Sequence, residues 1–479
     1  MKLLLVYPEI ESSNTNTSTY SLPLGLGSIA TYCKRELEDS LEVRILDGSM
    51  VSHKEHMEEV RRFAPDVTGI NSTIASQNNA YEIGRLAKKT GSKVIFGGVH
   101  STNLWENMLR NRDFIDGVIL YDGEIPMAHV LKGNDFESIP NLAFKDSDGN
   151  VKEPATILIP RLDDLTDIDY SLFEMKRFLE QTQRRGFGKA VTYYSGKGCA
   201  KRGGLQLKQV YSYEEYKNMV NSMANCSFCG RNELGFRTFD EEREAKVLKR
   251  LNEEYGITGF FNVQDTVNLR NATPVDLDSS CWFRLFIGIE DIIPSNIAKL
   301  KQRYGSNLIL QAGIEAANPE MRKAYGKKVT DLRDVISKVE LMGGEGIQLH
   351  ASFILGGRGE TKKSMHQTTE AARKLAEYDN VTWILISPQL ILPGSPDYRR
   401  LLDIQEMHKR YAGQDLINIV EINKDFLAHF TPTLAREEIV EEIRNAFEDI
   451  KRTNSRITLD VKGVVNEEEK QIHPQRSYV

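Results

Sequence analysis

The sequence lacks several features that would define broad classes of protein. None of its apolar runs approaches the roughly 20 residues that cross a bilayer. Its net charge of −6 gives no basic excess for phosphate binding, so general nucleic-acid binding is disfavoured. The opening "MKLLLVYPEI" is too short for a signal-peptide core and predicts a buried first strand. We therefore expect a cytoplasmic protein with no membrane span and no nucleic-acid partner.

Cysteine is also scarce, with five residues in 479. Cys226 and Cys229 form a Cys-x-x-Cys pair, and without a second pair a four-thiolate zinc site would need the lone Cys33 and Cys281. Those two are interpreted as small core residues. In a reducing compartment a close pair indicates metal or redox chemistry. The open question is whether Cys199, with 26 residues between it and Cys226, is a third ligand.

What the sequence does contain is enough length for two or three domains. In the first part, short apolar runs alternate with amphipathic stretches. Strands are predicted at 2–8, 41–47, 66–72, 93–100 and 117–122, and helices near 25–38, 54–63, 79–90 and 103–112. This alternation predicts an α/β domain with a doubly wound, Rossmann-like parallel sheet. Such sheets bind ligands beyond the carboxyl ends of their strands.

The predicted strand ends carry small and polar residues. Ser72 and Thr73 follow one strand, Gly97 and Gly98 lie in another, and "YDGE" (121–124) follows a third. Glycine lets a backbone approach a bulky ligand, and hydroxyls can bond its polar edges. The glycines alone would also fit ordinary turns, but the three features together favour a nucleotide-like or tetrapyrrole ligand.

This region resembles the cobalamin-binding domain that precedes many radical S-adenosylmethionine (SAM) enzymes. The matching segments are "LPLGLGSIATYCKREL" (22–37), "DVTGINSTIASQNNAYEIGRLAK" (66–88), "KVIFGGVHSTNLWENML" (93–109) and "GVILYDGEIP" (117–126). The resemblance implies that Ser72, Thr73, Gly97 and Gly98 line the pocket of the cobalamin tail. The Asp-x-His-x-x-Gly motif is absent, so no histidine from that motif is expected on the cobalt.

The rest of the chain predicts repeated βα units. Strands are expected at 191–198, 259–265, 282–288, 308–315, 347–357 and 382–392, with helices at 240–254, 332–342 and 363–378. Such units form open or closed barrels with functional residues at the carboxyl ends of the strands. We expect a first domain at 1–140, a linker at 141–188 with a hairpin at 144–154, a barrel domain at 189–402, and a helical region with a polar tail at 403–479.

Three thiolates, Cys199, Cys226 and Cys229, would suit a [4Fe–4S] cluster with one open iron. The flanks "SGKGCAKR" and "NCSFCGR" resemble the two ends of the radical SAM signature Cys-x-x-x-Cys-x-aromatic-Cys, with an insert at 203–224 between them. The insert predicts a turn and a helix, with Ser212 as N-cap and Glu215 three residues on. Closing a loop of about 30 rather than about 7 residues costs roughly 1.3 kcal/mol more. Metal–thiolate binding supplies on the order of 10 kcal/mol, so we assign Cys199 to the cluster.

Later segments resemble the same family. They are "FFNVQDT" (260–266), "AGIEAANPEMRKAYGK" (312–327), "FILGGRGET" (353–361) and "ILPGSPDYRRLL" (391–402). The resemblance implies that SAM binds the open iron, that Phe228 packs near the adenine, and that Asp265, Glu315 and Gly356 contact SAM. The chain departs from the family pattern at Gln264, where an acid is usual.

We therefore expect a cobalamin-binding domain, a partial TIM-type (βα)6 radical SAM barrel and a C-terminal helical region. The resemblance implies cleavage of SAM to a 5′-deoxyadenosyl radical by a [4Fe–4S] cluster, with cobalamin and a low-potential electron donor such as ferredoxin or flavodoxin. Methylation of an unactivated carbon in a small-molecule, lipid or peptide substrate is the first hypothesis. A rearrangement or cyclisation without methyl transfer and a non-catalytic partner protein are the alternatives. The substrate itself cannot be identified from the sequence.

Overall fold

The computed structural model describes residues 1–10, 21–202, 209–223, 226–231, 233–270 and 273–460. The strands are β1 (Lys2–Tyr7), β2 (Glu42–Asp47), β3 (Val67–Asn71), β4 (Lys93–Gly97), β5 (Gly117–Ile119), β6 (Leu142–Lys145), β7 (Val151–Lys152), β8 (Thr156–Leu158), β9 (Ala190–Tyr193), β10 (Gly196–Gly198), β11 (Val210–Ser212), β12 (Phe236–Thr238), β13 (Gly259–Asn262), β14 (Trp282–Gly288), β15 (Leu308–Glu315), β16 (Gln348–Leu355), β17 (Val381–Pro388) and β18 (Thr458–Asp460). The helices are α1 (Leu24–Leu37), α2 (His53–Phe63), α3 (Gln77–Lys89), α4 (Val99–Asn111), α5 (Glu124–Leu131), α6 (Met175–Arg184), α7 (Tyr213–Ser222), α8 (Glu241–Tyr255), α9 (Pro294–Tyr304), α10 (Pro319–Ala324), α11 (Leu332–Gly344), α12 (Lys362–Leu375), α13 (Pro396–Leu402), α14 (Gln405–Tyr411), α15 (Ile419–Phe430) and α16 (Arg436–Thr453).

The N-terminal sheet has seven strands in the order β2-β1-β3-β4-β5-β6-β7. Its first five strands are parallel and match the five predicted strands, with helices α1 to α5 between and after them. Leu3, Leu4, Leu5 and Val6 of β1 are fully buried, as expected for a strand covered on both faces. The predicted hairpin forms β6 and β7, which join this sheet antiparallel. The sheet thus continues through residue 152, beyond the expected domain boundary at 140.

The second sheet also has seven strands, in the order β18-β17-β16-β15-β14-β13-β9, and all of its described pairings are parallel. Six of these strands are the predicted barrel strands, and β18 adds a seventh from the C-terminal region. Along β14, buried and partly exposed residues alternate, as expected for a strand with one face in the core and one more open face. The expected α/β fold with a partial barrel is confirmed.

One predicted barrel strand, 191–198, is wrong as a single element. The chain forms β9 in the barrel sheet and then a separate β10, which pairs antiparallel with β12. Gly198 has φ of +87°, and a Cβ there would lie 2.1 Å from the carbonyl oxygen of Gly235. The glycine therefore permits the close approach of β10 and β12, and the chain leaves the barrel sheet just before Cys199.

The part of the insert that the structure describes, 209–223, contains the expected helix. Ser212 accepts a hydrogen bond from the backbone N–H of Glu215, so the predicted N-cap is confirmed. Before it, β11 pairs antiparallel with β8 of the linker region. The insert is thereby attached to the segment that joins the two sheets. Residues 203–208 and 224–225 of the insert lie outside the described residues.

The C-terminal helices join the two halves of the molecule. The residues that follow β17, including α13 to α15, share one apolar core with the N-terminal sheet. The Tyr81 hydroxyl donates to the backbone oxygen of Asp415 at 3.2 Å, and Arg112 forms an ion pair with the Asp415 carboxylate at 2.6 Å. Helix α16 instead packs on α12 of the barrel. The predicted tail, 462–479, lies outside the described residues. Among the residues that the structure describes, no helix is long and apolar enough to cross a bilayer.

Candidate functional site

A cavity of about 120 Å³ lies at the carboxyl ends of the parallel strands of the N-terminal sheet. Its walls are largely apolar and include Leu5, Leu26, Ile29, Ile95, Ile119 and Met127. These side chains come from strands β1, β4 and β5 and from helices α1 and α5. The position is the one expected for a ligand of a doubly wound sheet.

Two of the four residues predicted for the cobalamin tail, Gly97 and Gly98, line this cavity. Gly98 has φ of +90°, and a Cβ there would lie 2.0 Å from Oδ1 of Asn71, so only glycine fits without a shift. Ser72 is buried beside the cavity, where its hydroxyl pairs with Ser101 at 2.8 Å. Thr73 pairs with Ser76 at 3.0 Å. Tail binding by Ser72 and Thr73 stays a prediction.

A buried charged cluster, which sequence reasoning missed, closes one side of the cavity. Lys197 of β10 contacts Asp122 at 2.7 Å and Glu124 at 2.9 Å, and Arg237 of β12 contacts Asp122 at 2.8 Å. Ser28 donates to Glu124 at 2.6 Å. Burial favours the neutral form of Asp122, but the neighbouring Lys197 and Arg237 hold its pKa below the usual value. The acids belong to the segment "YDGE", but no local pattern identified their cationic partners.

The three predicted cluster ligands are free, partly buried thiols. Lys201 lies 3.7 Å from the Cys226 sulfur and Arg202 lies 3.5 Å from the Cys229 sulfur. Cys226 and Cys229 share a turn in which the Cys229 N–H donates to the Cys226 oxygen at 3.0 Å. Because Lys201 and Arg202 lie two and three residues after Cys199, they connect its turn to the turn of the close pair.

The charges around these thiols are mainly positive. The pKa of Cys226 lies above its usual value because burial outweighs the lowering effect of Lys327 and Lys201. Burial works against the Arg231 guanidinium, but Asp265, Glu233 and the thiols of Cys229 and Cys199 hold its pKa above the usual value. Cationic surroundings stabilise thiolates, the form that ligates iron.

These donors fit an iron–sulfur cluster by type and charge. Within the described ranges, no three His, Cys, Asp or Glu side chains converge to a metal-binding set. The cluster assignment of Cys199, Cys226 and Cys229 therefore stays a prediction.

The predicted SAM residue Glu315 lies at the end of β15, where the pairing with β16 is irregular. Its φ of +64° is unusual for a residue other than glycine, and such strain is often found at functional sites. The buried carboxylate forms an ion pair with Lys327 at 2.8 Å. The Lys327 ammonium also lies 5.8 Å from the centre of the Phe228 ring. The structure thus brings Glu315, Phe228 and Cys226 together through Lys327, which sequence reasoning did not single out.

The predicted residue Gly356 lies in a tight turn after β16, at φ of +86°. The buried Glu360 carboxylate accepts hydrogen bonds from the backbone N–H groups of Gly356 and Gly357. Burial raises the pKa of Glu360 to about 7. Tyr325 packs between this turn and Phe228. The centres of the Tyr325 and Phe228 rings are 5.8 Å apart. The Gly356 turn and Phe228 therefore share one cluster.

The remaining predicted SAM residue, Asp265, faces the cysteine loop, which consists of the turn that carries Cys199 and the turn that carries Cys226 and Cys229. It pairs with Arg231 at 3.3 Å, and burial raises its pKa. The neighbouring Gln264, which stands where the family has an acid, is buried and accepts a hydrogen bond from Ser195 at 2.6 Å. A neutral amide suits this buried position beside Ser195 and Asn262, because an ionised carboxylate there would lose its hydration.

Comparison with known proteins supports the fold and the nature of the first domain. Residues 14–131 match the family model of the B12 binding domain, and the chain therefore carries such a domain. The fold matches that of the radical SAM methyltransferase TsrM from Kitasatospora setae, solved with cobalamin and a [4Fe–4S] cluster bound. The TM-score is 0.62 at 15% identity, over 84% of this chain and 78% of that chain. The predicted resemblance to cobalamin-dependent radical SAM enzymes is confirmed.

Two curated relatives cover most of the chain. An uncharacterized methyltransferase of Pyrococcus horikoshii is 26% identical over 81% of each chain. The anaerobic magnesium-protoporphyrin IX monomethyl ester cyclase of Rubrivivax gelatinosus is 20% identical over 81% of this chain and 68% of its own length. Both alignments extend well beyond the B12 binding domain.

Proposed function

We propose that the chain is a cobalamin-dependent radical SAM enzyme that methylates an unactivated carbon of a small-molecule, lipid or peptide substrate. One observation carries the proposal. Lys197 lines the cavity of the B12 binding domain and stands two residues before Cys199. The short strand β10 therefore joins the expected cobalamin site directly to the expected cluster site, as a reaction that uses both groups requires.

In this proposal Cys199, Cys226 and Cys229 hold the [4Fe–4S] cluster. The tail of cobalamin occupies the cavity at Gly97 and Gly98. When bound, the cluster and SAM supply one-electron chemistry and cobalamin carries the methyl group. The protein's part is to bind these groups, orient them and exclude water.

The Glu315–Lys327 pair suits the amino-acid end of SAM. A carboxylate and an ammonium lie side by side, opposite in charge to the ammonium and carboxylate of the ligand. Phe228 supplies a flat apolar surface for the adenine end, and Tyr325 links it to the Gly356 turn. Asp265 would orient Arg231 against the cysteine loop.

The methyl-transfer hypothesis is favoured over cyclisation. The relative named as a methyltransferase is 26% identical, whereas the one named as a cyclase is 20% identical. We also propose a low-potential donor such as ferredoxin or flavodoxin and a cytoplasmic location, where reducing conditions keep the five cysteines as thiols.

The test is anaerobic reconstitution with iron, sulfide and hydroxocobalamin, followed by incubation with titanium(III) citrate, which reduces both the cluster and the cobalamin, and with SAM that carries a labelled methyl group. Transfer of label to the protein-bound cobalamin, with S-adenosylhomocysteine released, is the expected result. Release of 5′-deoxyadenosine without any labelled cobalamin would instead favour the cyclisation alternative. A reconstituted chain that consumes no SAM would contradict the enzyme assignment.

A further inference from the structure

The charged cluster at the cavity has an unused hydrogen-bonding capacity. Glu124 lines the cavity, and its Oε2 is buried with no hydrogen-bond partner among the described residues. Its other oxygen, Oε1, already accepts from Ser28 and Lys197. Lys197 has three N–H donors, and its contacts with Asp122 and Glu124 use two of them. One free acceptor and one free donor therefore lie side by side at the cavity wall.

The net charge of the cluster restricts what can bind there. Two carboxylates, Asp122 and Glu124, are matched by two cations, Lys197 and Arg237, all within one hydrogen-bonded set. Asp122 and Glu124 are 7% and 1% exposed, so an added charge would lie unpaired in a poorly solvated place. The site is therefore suited to a neutral group.

A primary carboxamide is the neutral group that matches both functions. Its oxygen accepts from Lys197 and its NH₂ donates to Glu124. The corrin ring of cobalamin carries such carboxamides around its edge. Because Glu124 belongs to the B12 binding domain and Lys197 to the barrel side, one amide would contact both.

We propose that Lys197 and Glu124 form a carboxamide-binding subsite that recognises one amide side chain of the corrin ring. The inference rests on the proposed function, since it requires cobalamin in this cavity. The subsite would give specificity for the amide. An analogue with a carboxylate in place of that amide is rejected, because the two carboxylates, its own and that of Glu124, repel each other.

The experiment measures equilibrium binding of hydroxocobalamin and of its separated b-, d- and e-monocarboxylic acids by absorbance at pH 7.5. For the wild-type chain, we expect at least one acid to bind tenfold or more weakly than hydroxocobalamin. The Glu124→Gln variant should bind that same acid within about threefold of hydroxocobalamin. Lys189→Met, a change at an exposed lysine outside the cavity, is the matched control and should bind like the wild type.

A second variant keeps the test informative if Glu124→Gln alone destabilises the fold. Lys197→Met combined with Glu124→Gln removes one cation and one anion, and it keeps the Asp122–Arg237 pair. It should bind hydroxocobalamin about tenfold more weakly and should not discriminate against the acids. If all three acids bind the wild type as well as hydroxocobalamin does, or if discrimination persists in Glu124→Gln, the subsite is wrong while the proposed function stands. If the wild type binds no cobalamin, both are overturned.

Discussion

The cavity of the B12 binding domain and the cysteine loop of the barrel are built in different ways. The cavity lies at the carboxyl ends of the parallel strands of one sheet, so backbone topology places most of its walls. The cysteine loop instead depends on side-chain contacts between two turns that are separated by an insert, such as that of Arg202 with Cys229. A site at the end of a sheet is fixed by the fold, whereas a site between loops depends on a few contacts over long separations.

The largest effect is expected when a proposed cluster ligand in the cysteine loop is replaced. Cys199→Ala removes one of three proposed thiolate ligands, so we expect the reconstituted chain to lose nearly all of the roughly four irons of a [4Fe–4S] cluster. Iron and sulfide analysis and electron paramagnetic resonance provide the measurement. Cys281→Ala is the control, because Cys281 is a buried core residue and its loss should cost about 1 kcal/mol of stability and no iron. Full iron content in Cys199→Ala would exclude Cys199 as a ligand.

The second-largest effect is expected when the wall of the cavity is changed at Gly98. Gly98→Ala places a Cβ against Asn71 in a left-handed conformation, and we expect cobalamin to bind tenfold or more weakly. Gly91→Ala is a matched control, since Gly91 has the same φ of +90° with no atom within 4 Å of the added Cβ. Both variants should lose about 1–3 kcal/mol of unfolding free energy from backbone strain, and Gly98→Ala should lose more because of its contact with Asn71. Equal cobalamin affinity in the two variants would show that the turn at Gly98 does not shape the site.

A smaller effect is expected where the cysteine loop meets the proposed SAM residues. Lys327→Met leaves the buried Glu315 carboxylate without its described ion-pair partner, so we expect the KM for SAM to rise about tenfold. Steady-state kinetics with varied SAM measure it. The exposed neighbour Lys328 supplies the control, Lys328→Met, which should keep the wild-type KM. If both variants keep it, the Glu315–Lys327 pair has no role in binding SAM.

The remaining effect concerns stability and not ligand binding: it is a dependence of the unfolding free energy on pH. Because burial raises the pKa of Glu360 to about 7, the folded chain binds more protons at this group than the unfolded chain does between about pH 4.5 and pH 7. Its contribution to stability is present below that window and is lost as the pH rises through it. Glu360→Gln should flatten this dependence in urea unfolding measured from pH 5 to pH 8. An unchanged slope would mean that Glu360 titrates normally.

The sequence predicted both sheets well and the sites unevenly. Strands such as β1 and β15 follow from apolar runs, which report burial directly. The break between β9 and β10 escaped prediction because it depends on the approach of Gly198 to Gly235, 37 positions further along the chain. Gly97 and Gly98 could be placed at the cavity because strand ends are local features. Lys197 could not, since its partners lie more than 70 residues away.

The core shared by the N-terminal sheet and the C-terminal helices also has a consequence for how the chain is synthesised. Tyr81 and its partner Asp415 are 334 residues apart in the chain. At about 5–20 residues per second, a ribosome needs roughly 17 to 67 s to bridge that interval. During that time, the apolar surface that later receives α13 to α15 is uncovered, so the domain that begins the chain completes its core only after residues 396–430 have been made. The first domain made therefore needs protection from aggregation for most of the translation of the chain.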